Sequence, residues 1–345
     1  MSKLCCSKIL GVSVTLPEER IDLAKFYPDS ERIMHITGIR KVCVASKEKT
    51  VSDYCVVAAE RLIAELNFDK NLIDGLIFVS PQPDYILPGT AGIIQRQLNL
   101  KTDLIAFDIN QGCTGFIYGI FQASMLIQCG VCKNVLVCLG DNPTRYVNEQ
   151  DKSLRMTTAD GSVAFIVQSD IKDSESSFIF FTDGSGLENL YIPAGGHRLP
   201  YKAGVTDKPF ADEEGNVRTL ENLNADGTAM MKFDIDTAGK ILNLALEEKN
   251  ISKDAVDMFF LHQSSAFVLK RMIKKYKLDA NKVPLCMENF GNIGPASIAL
   301  AMCHTAKDSR LNFSKVALCA FGSGLSCAAA VLDLSETYFS ELHFV

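Results

Sequence analysis

No apolar run in this sequence reaches the roughly 18–20 residues a membrane-spanning helix needs, so a transmembrane protein is not expected. The opening residues, Met1 to Lys8, lack the apolar core of a signal peptide, and a cytoplasmic protein is the expectation. Positive charge is not in excess: the formal net charge is −6, which removes any bulk electrostatic case for nucleic acid. Linkers and low-complexity tracts are missing. Cys129 and Cys132 form one CxxC with no second ligand pair, so they read as a helix end running into a turn and no metal is expected.

What is present suits a large core. The chain has 345 residues, 47% hydrophobic and 22% charged, enough for one large or two medium domains. Several of its cysteines lie inside apolar runs: Cys138 in Val135–Leu139, Cys319 in Val316–Phe321, Cys327 in Leu325–Leu332. Such cysteines act as small reduced hydrophobes. The polar stretch from about Gly195 to Gly227 reads as a long surface excursion.

The chain resembles itself. Ser52–Leu66 has helical apolar spacing and leads to a short apolar strand, Leu76–Val79; Thr237–Glu248 leads in the same way to Met258–Leu261. Asp74 and Asp257 precede those strands. Gly112-Cys113-Thr114-Gly115 matches Gly291-Asn292-Ile293-Gly294 in glycine spacing, each after a strand-like segment. Val135–Leu139 matches Val316–Ala320. Matches in constant order argue for a duplicated βα unit, with strands and helices alternating in a mainly parallel sheet covered on both faces. Two such halves, 1–170 and 171–345, would form a five-layered αβαβα pseudo-dimer. A single doubly wound domain is the alternative.

The duplication brings chemistry together. Sites in open α/β sheets lie at the carboxyl ends of strands. Cys113 follows the strand Leu104–Asp108 and precedes an apolar helix, Phe116–Leu126. A helix N-terminus lowers a thiol's pKa, so this cysteine reads as an activated nucleophile. His262 directly follows Met258–Leu261, and Asn292 holds the position equivalent to Cys113. Each alone has a plain structural reading: a core cysteine, a satisfied core histidine, a turn asparagine. Their coincidence at repeat-related positions favours a shared crevice.

These motifs resemble the thiolase superfamily, and within it the β-ketoacyl-acyl-carrier-protein synthase III group. The resemblance spans essentially the whole chain: Ile9-Leu10-Gly11 with Leu16-Pro17-Glu18, Thr37-Gly38-Ile39-Arg40, Gly112-Cys113-Thr114-Gly115-Phe116, Ala159-Asp160-Gly161, His262-Gln263, Gly291-Asn292 and Phe321-Gly322-Ser323-Gly324. It implies decarboxylative Claisen condensation. Cys113 would carry the acyl group, with the backbone N–H groups of Cys113 and Ser323 as the oxyanion hole. His262 and Asn292 would stabilise the enolate formed from a malonyl thioester. Acyl-coenzyme A or acyl carrier protein would serve as substrates, with no further cofactor. A homodimer is implied as well. Leu87 and Phe321 would border the acyl pocket, Leu87 reaching it across a dimer.

Three departures stand out. The group's coenzyme A clamp has tryptophan and arginine where this chain has Arg32 and Ile36; Arg32, Thr37 and Lys152 are the remaining candidate contacts. Serine replaces the usual glycine at 323. For carrier-protein docking, Lys232, Lys274 and Lys275 match the group's lysines, but Phe267 replaces its arginine, so Lys270 or Arg271 must substitute. Competing readings are acyl transfer from Cys113 to an alcohol or amine with His262 as general base, a Cys-His-Asn hydrolase, and a non-catalytic partner subunit.

Overall fold

The structure, a computed structural model, describes residues 2–4, 6–25, 30–170, 176–308 and 311–345. Two mixed sheets organise it. The first contains β2 (Ser7–Leu16), β3 (Gly75–Val79), β4 (Ile105–Ile109), β5 (Asn134–Asp141), β6 (Gly161–Ser169), β11 (Tyr338–Phe339) and β12 (His343–Phe344). Its order is β11-β2-β6-β5-β3-β4, with β12 also on β2. The second runs β1-β7-β10-β9-β8, from β1 (Ser2–Leu4), β7 (Ser176–Thr182), β8 (Met258–Leu261), β9 (Val316–Gly322) and β10 (Ser326–Leu332). In each sheet a parallel pair, β3 with β5 and β8 with β9, abuts an antiparallel one, β5 with β6 and β9 with β10.

Helices make the other layers. α2 (Val51–Glu65) and α3 (Thr90–Gln97) cover the outer face of the first sheet. α4 (Gly115–Gln128) and α8 (Ser297–Thr305) lie between the sheets, and α4 touches strands of both. α6 (Gly227–Glu248) covers the far face of the second sheet, with α7 (Ala266–Tyr276) against it. Two short helices, α1 (Ser30–Thr37) and α5 (Lys152–Arg155), lie outside these layers. The middle layer explains the composition. A helix flanked by two sheets must be apolar all round, and α4 reads Gly-Phe-Ile-Tyr-Gly-Ile-Phe. β10 reads Ser-Cys-Ala-Ala-Ala-Val-Leu and is buried throughout; its small side chains let helices approach from both faces.

The repeat extends to hydrogen bonding. The Asp74 carboxylate accepts the Lys133 N–H at 2.8 Å and the Asn134 N–H at 2.9 Å, tying the start of β3 to that of β5. The Asp257 carboxylate accepts the Lys315 N–H at 2.8 Å and the Ser314 hydroxyl at 2.9 Å, tying β8 to β9. The proposed boundary between the halves, 170/171, borders residues 171–175, which lie outside the described residues. The halves also exchange edge strands: β1 pairs with β7 in the second sheet, while β11 and β12 pair with β2 in the first.

Some local expectations shift. The strand expected before Gly291 is a 3-10 turn, Met287–Asn289, so among the described residues the second sheet has no counterpart of β4. α6 begins ten residues before the expected Thr237, because polar Lys232, Asp234 and Asp236 mask the helical period there. The CxxC region is the end of α4: Cys129 caps the helix and Gly130 turns in the left-handed region. The surface excursion is stapled by short pairs, Leu190–Tyr191 with Asn224–Ala225 and Phe210–Ala211 with Val217–Arg218. Buried Arg218 pins it to buried Asp151.

Gly239, inside α6, faces the Tyr276 ring of α7 so closely that a Cβ would lie 2.0 Å from it. Gly239→Ala gains helix propensity but must displace that ring. Overpacking of this kind costs about 1–3 kcal/mol, so the urea midpoint should fall; a rise would mean that the α6–α7 contact is loose.

Candidate active site

Cys113 sits in the turn between β4 and α4, just before the helix cap Thr114. Gly322, the last residue of β9, presses on it. A Cβ at Gly322 would lie 2.6 Å from the Cys113 sulfur, so the position accepts no side chain. The next residue, Ser323, directs its backbone N–H at that sulfur, as does the N–H of Cys113 itself. Ser323 is not among the residues with positive φ, so an ordinary backbone serves where glycine was expected. Here the side chain is irrelevant and only the N–H is needed.

A chain of hydroxyls fixes that loop. Ser326 Oγ donates to the Ser323 carbonyl at 2.7 Å, and a carbonyl can only accept. Thr114 Oγ1, 3.1 Å from Ser326 Oγ, must therefore donate to it, and Gln111 Nε2 donates to Thr114 Oγ1 at 2.5 Å. Gln111 and Thr114, on either side of the Gly112-Cys113 pair, thus tie down the carbonyl of Ser323, the residue whose N–H faces the thiol. Thr114 lies in the cysteine motif, but Gln111 and Ser326 had no signal in the sequence: isolated polar residues carry no period.

His262 leaves the end of β8 buried, its backbone N–H bonded to the Cys319 carbonyl at 2.9 Å. Its ring stands edge-on to Phe321, centroids 5.4 Å apart, and its Nδ1 lies 2.7 Å from Ser297 Oγ. Burial lowers its pKa to about 4, so the imidazole is neutral at physiological pH. Asn292 is strapped to the loop before β6: its N–H donates to the Thr157 carbonyl at 2.8 Å, and its carbonyl accepts the Ala159 N–H at 2.9 Å. Its side-chain Oδ1 accepts the Gly294 N–H at 3.1 Å. That commits the oxygen and leaves the NH₂ end as the donor. The contacts close a ring: Cys113 to Gly322, Phe321 to His262, His262 to Ser297, and Pro295 back to Gly115 at 3.3 Å from a Cβ there. Cys113, His262 and the Asn292 loop share one buried neighbourhood.

The electrostatics differ from the expectation of an activated thiol. Burial pushes the Cys113 pKa up to about 12, with Asp141 and Asp234 adding to the rise. The N–H groups at Ser323 and Cys113 pull the other way but do not win. Asp141 and Asp234 are themselves raised to about 8 by burial.

The other expected residues are dispersed. Leu87 is 85% exposed on the loop between β3 and α3, beside Ile86 at 95%, so it borders no pocket of its own chain. Phe321 is fully buried against His262. Arg32 and Lys152 are exposed. The Thr37 hydroxyl is engaged internally, donating to the Ile33 carbonyl at 2.9 Å. Lys270, Arg271, Lys274 and Lys275 line the exposed side of α7, and Lys232 joins them across α6, since Lys232 and Lys275 both pair with Asp236.

Two family models match the chain: 3-oxoacyl-(acyl-carrier-protein) synthase III over residues 107–185, and that synthase's C-terminal part over residues 246–334. A Campylobacter jejuni protein, provisionally named 3-oxoacyl-(acyl-carrier-protein) synthase 3, is 32% identical over 96% of this chain and 95% of its own. The chain belongs to the 3-oxoacyl-(acyl-carrier-protein) synthase III family. A β-ketoacyl-(acyl-carrier-protein) synthase III of Caldanaerobacter subterraneus is 29% identical over 97% of this chain and all of its own. The crystal structure of a 3-oxoacyl-(acyl-carrier-protein) synthase from Burkholderia xenovorans superposes with a TM-score of 0.92 at 29% identity, covering 100% of this chain and 98% of that one. The synthase III fold, thiolase-like, is the architecture described above. Each family-model segment holds part of the ring: the first contains Cys113, the second His262 and Asn292.

In this synthase III homologue, Ser326→Ala removes the last donor of the hydroxyl chain. Loosening one oxyanion-type N–H this way should slow acylation of Cys113 by an acyl thioester roughly tenfold. Single-turnover intact-protein mass spectrometry reads the rate; an unchanged rate would mean that the chain does not position Ser323.

Proposed function

We propose that this protein is a condensing acyltransferase that builds a β-ketoacyl thioester from a Cys113-bound acyl group and a malonyl thioester. The observation that carries the reading is the ring of contacts joining Cys113, His262 and the Asn292 loop around two backbone N–H groups aimed at sulfur. The named activity of the relatives supports it.

The chemistry follows from the donors. Cys113 sulfur attacks the acyl thioester carbonyl; the oxyanion collects the N–H groups of Cys113 and Ser323; the carrier leaves as a thiol, taking the proton that Cys113 loses. This removes the need for a resident thiolate, consistent with a thiol held at about 12. A malonyl thioester then loses carbon dioxide, and the electron pair moves onto its thioester oxygen. Neutral His262 and the Asn292 NH₂ donate to that oxygen. The carbanion attacks the acyl-Cys113 carbonyl, the carbon–sulfur bond breaks, and the released Cys113 thiolate takes a proton from solvent water.

The surroundings favour acyl carrier protein over coenzyme A as the acyl donor. Ile36 brings no charge, Thr37 is engaged internally, and the basic face from Lys232 to Lys275 suits an acidic carrier. A homodimer belongs to the same reading: β4 is an open sheet edge, exposed along much of its length, beside exposed Tyr85, Ile86 and Leu87. Leu87 would then close the partner's acyl pocket. No helix of the described residues is long and apolar enough to cross a membrane, and a cytoplasmic enzyme is part of the proposal.

The decisive experiment separates the two half-reactions. Acyl thioesters should add one acyl group to the wild type and none to Cys113→Ala. His262→Ala should still be acylated yet lose condensation and carbon dioxide release by at least a hundredfold. A variant that condenses normally without His262 would sink the reading. For docking, Lys270→Glu with Lys274→Glu should lower kcat/KM for acyl carrier protein about tenfold while sparing acyl-coenzyme A. Equal losses with both donors would count against this surface.

A further inference from the structure

Ser297 is fully buried at the first position of α8, and its hydroxyl has two neighbours that decide how its proton is spent. The Gln263 backbone N–H donates to Ser297 Oγ at 3.3 Å. That N–H is held in place, because the Gln263 side chain donates to the Leu261 carbonyl at 2.8 Å and accepts the Cys286 N–H at 2.8 Å. The second neighbour is His262 Nδ1 at 2.7 Å. If Nδ1 carried the imidazole proton, Ser297 would accept twice, and neither neighbour could accept the hydroxyl's own buried proton. If Ser297 donates to Nδ1, its hydroxyl and Nδ1 are both satisfied, and the ring proton is left on Nε2.

We propose that Ser297 is a positioning residue: it locks His262 in the tautomer with the proton on Nε2, so that the ring presents a donor to the reacting thioester oxygen. This rests on the reading of His262 as a donor in condensation. The same short segment serves Asn292 by the same device. There, the Gly294 N–H occupies the amide oxygen and leaves the NH₂ outward. Each of the two donors has its acceptor atom consumed internally, by groups five residues apart or less from Asn292.

The test uses the full-length protein labelled with ¹⁵N-histidine, with His262 assigned by its loss in His262→Gln. At pH 7 the wild type should show Nδ1 as an unprotonated acceptor and Nε2 as N–H. Ser297→Ala should shift His262 toward a mixture of tautomers and lower condensation at least tenfold, with Cys113 acylation changed far less. Ser297→Thr, which keeps the hydroxyl, should recover both the signal and the rate. A wild-type ring protonated on Nδ1 overturns the proposal even if Ser297→Ala fails to fold. So does a Ser297→Ala protein that keeps the Nε2–H signal and the full condensation rate. Condensation that survives His262→Ala would instead remove the underlying reading, whatever the tautomer.

Discussion

The contact between Gly322 and the Cys113 sulfur governs this architecture. It joins the end of a strand in one sheet to the turn that leads into the helix separating the sheets. A methyl group at Gly322 would collide with the sulfur. Because that approach is so close, the following peptide reaches the thiol with its N–H, and the preceding phenylalanine reaches the histidine ring. The hydroxyl chain from Gln111 to Ser323 then binds the two loops together. Remove the close approach, and the N–H pair, the imidazole and the thiol lose their common reference.

Around that contact the protein keeps ionisable groups uncharged. Burial drives His262 to about 4, Cys113 to about 12, and Asp141 and Asp234 to about 8. At neutral pH the neutral forms prevail, since a charge in this interior would be poorly solvated. The only charge then needed is the one the reaction creates, first on a thioester oxygen and later on an enolate oxygen. In a dry environment, fixed N–H dipoles act strongly on such a transient charge and need no reorganisation.

The sequence disclosed this arrangement unevenly. The halves were visible because each must repeat a buried strand, and even Asp74 and Asp257 recur as ties between strand starts. Cys113, His262 and Asn292 stood out through glycines and strand ends, features that constrain the backbone. Ser297, Ser326 and Gln111 did not, because a hydrogen bond between elements far apart in sequence leaves no period and needs only one polar atom. The thiol's environment was misjudged for a related reason. Helix position is written in the sequence, whereas desolvation depends on what the second sheet lays over the sulfur. Leu87, expected to act across a dimer, lies in the open on its own chain.

The exchanged edge strands lock the two sheets to each other. The first sheet receives β11 and β12 from the far end of the chain, and the second receives β1 from the near end. Each half is thereby laced shut by a piece of the other. Peeling either sheet open strips a border from its neighbour, so the two should melt as one cooperative body. During synthesis the first sheet would wait for the last strands to emerge before its border is complete. The thiol, whose surroundings are drawn from both sheets, would gain its finished environment only then.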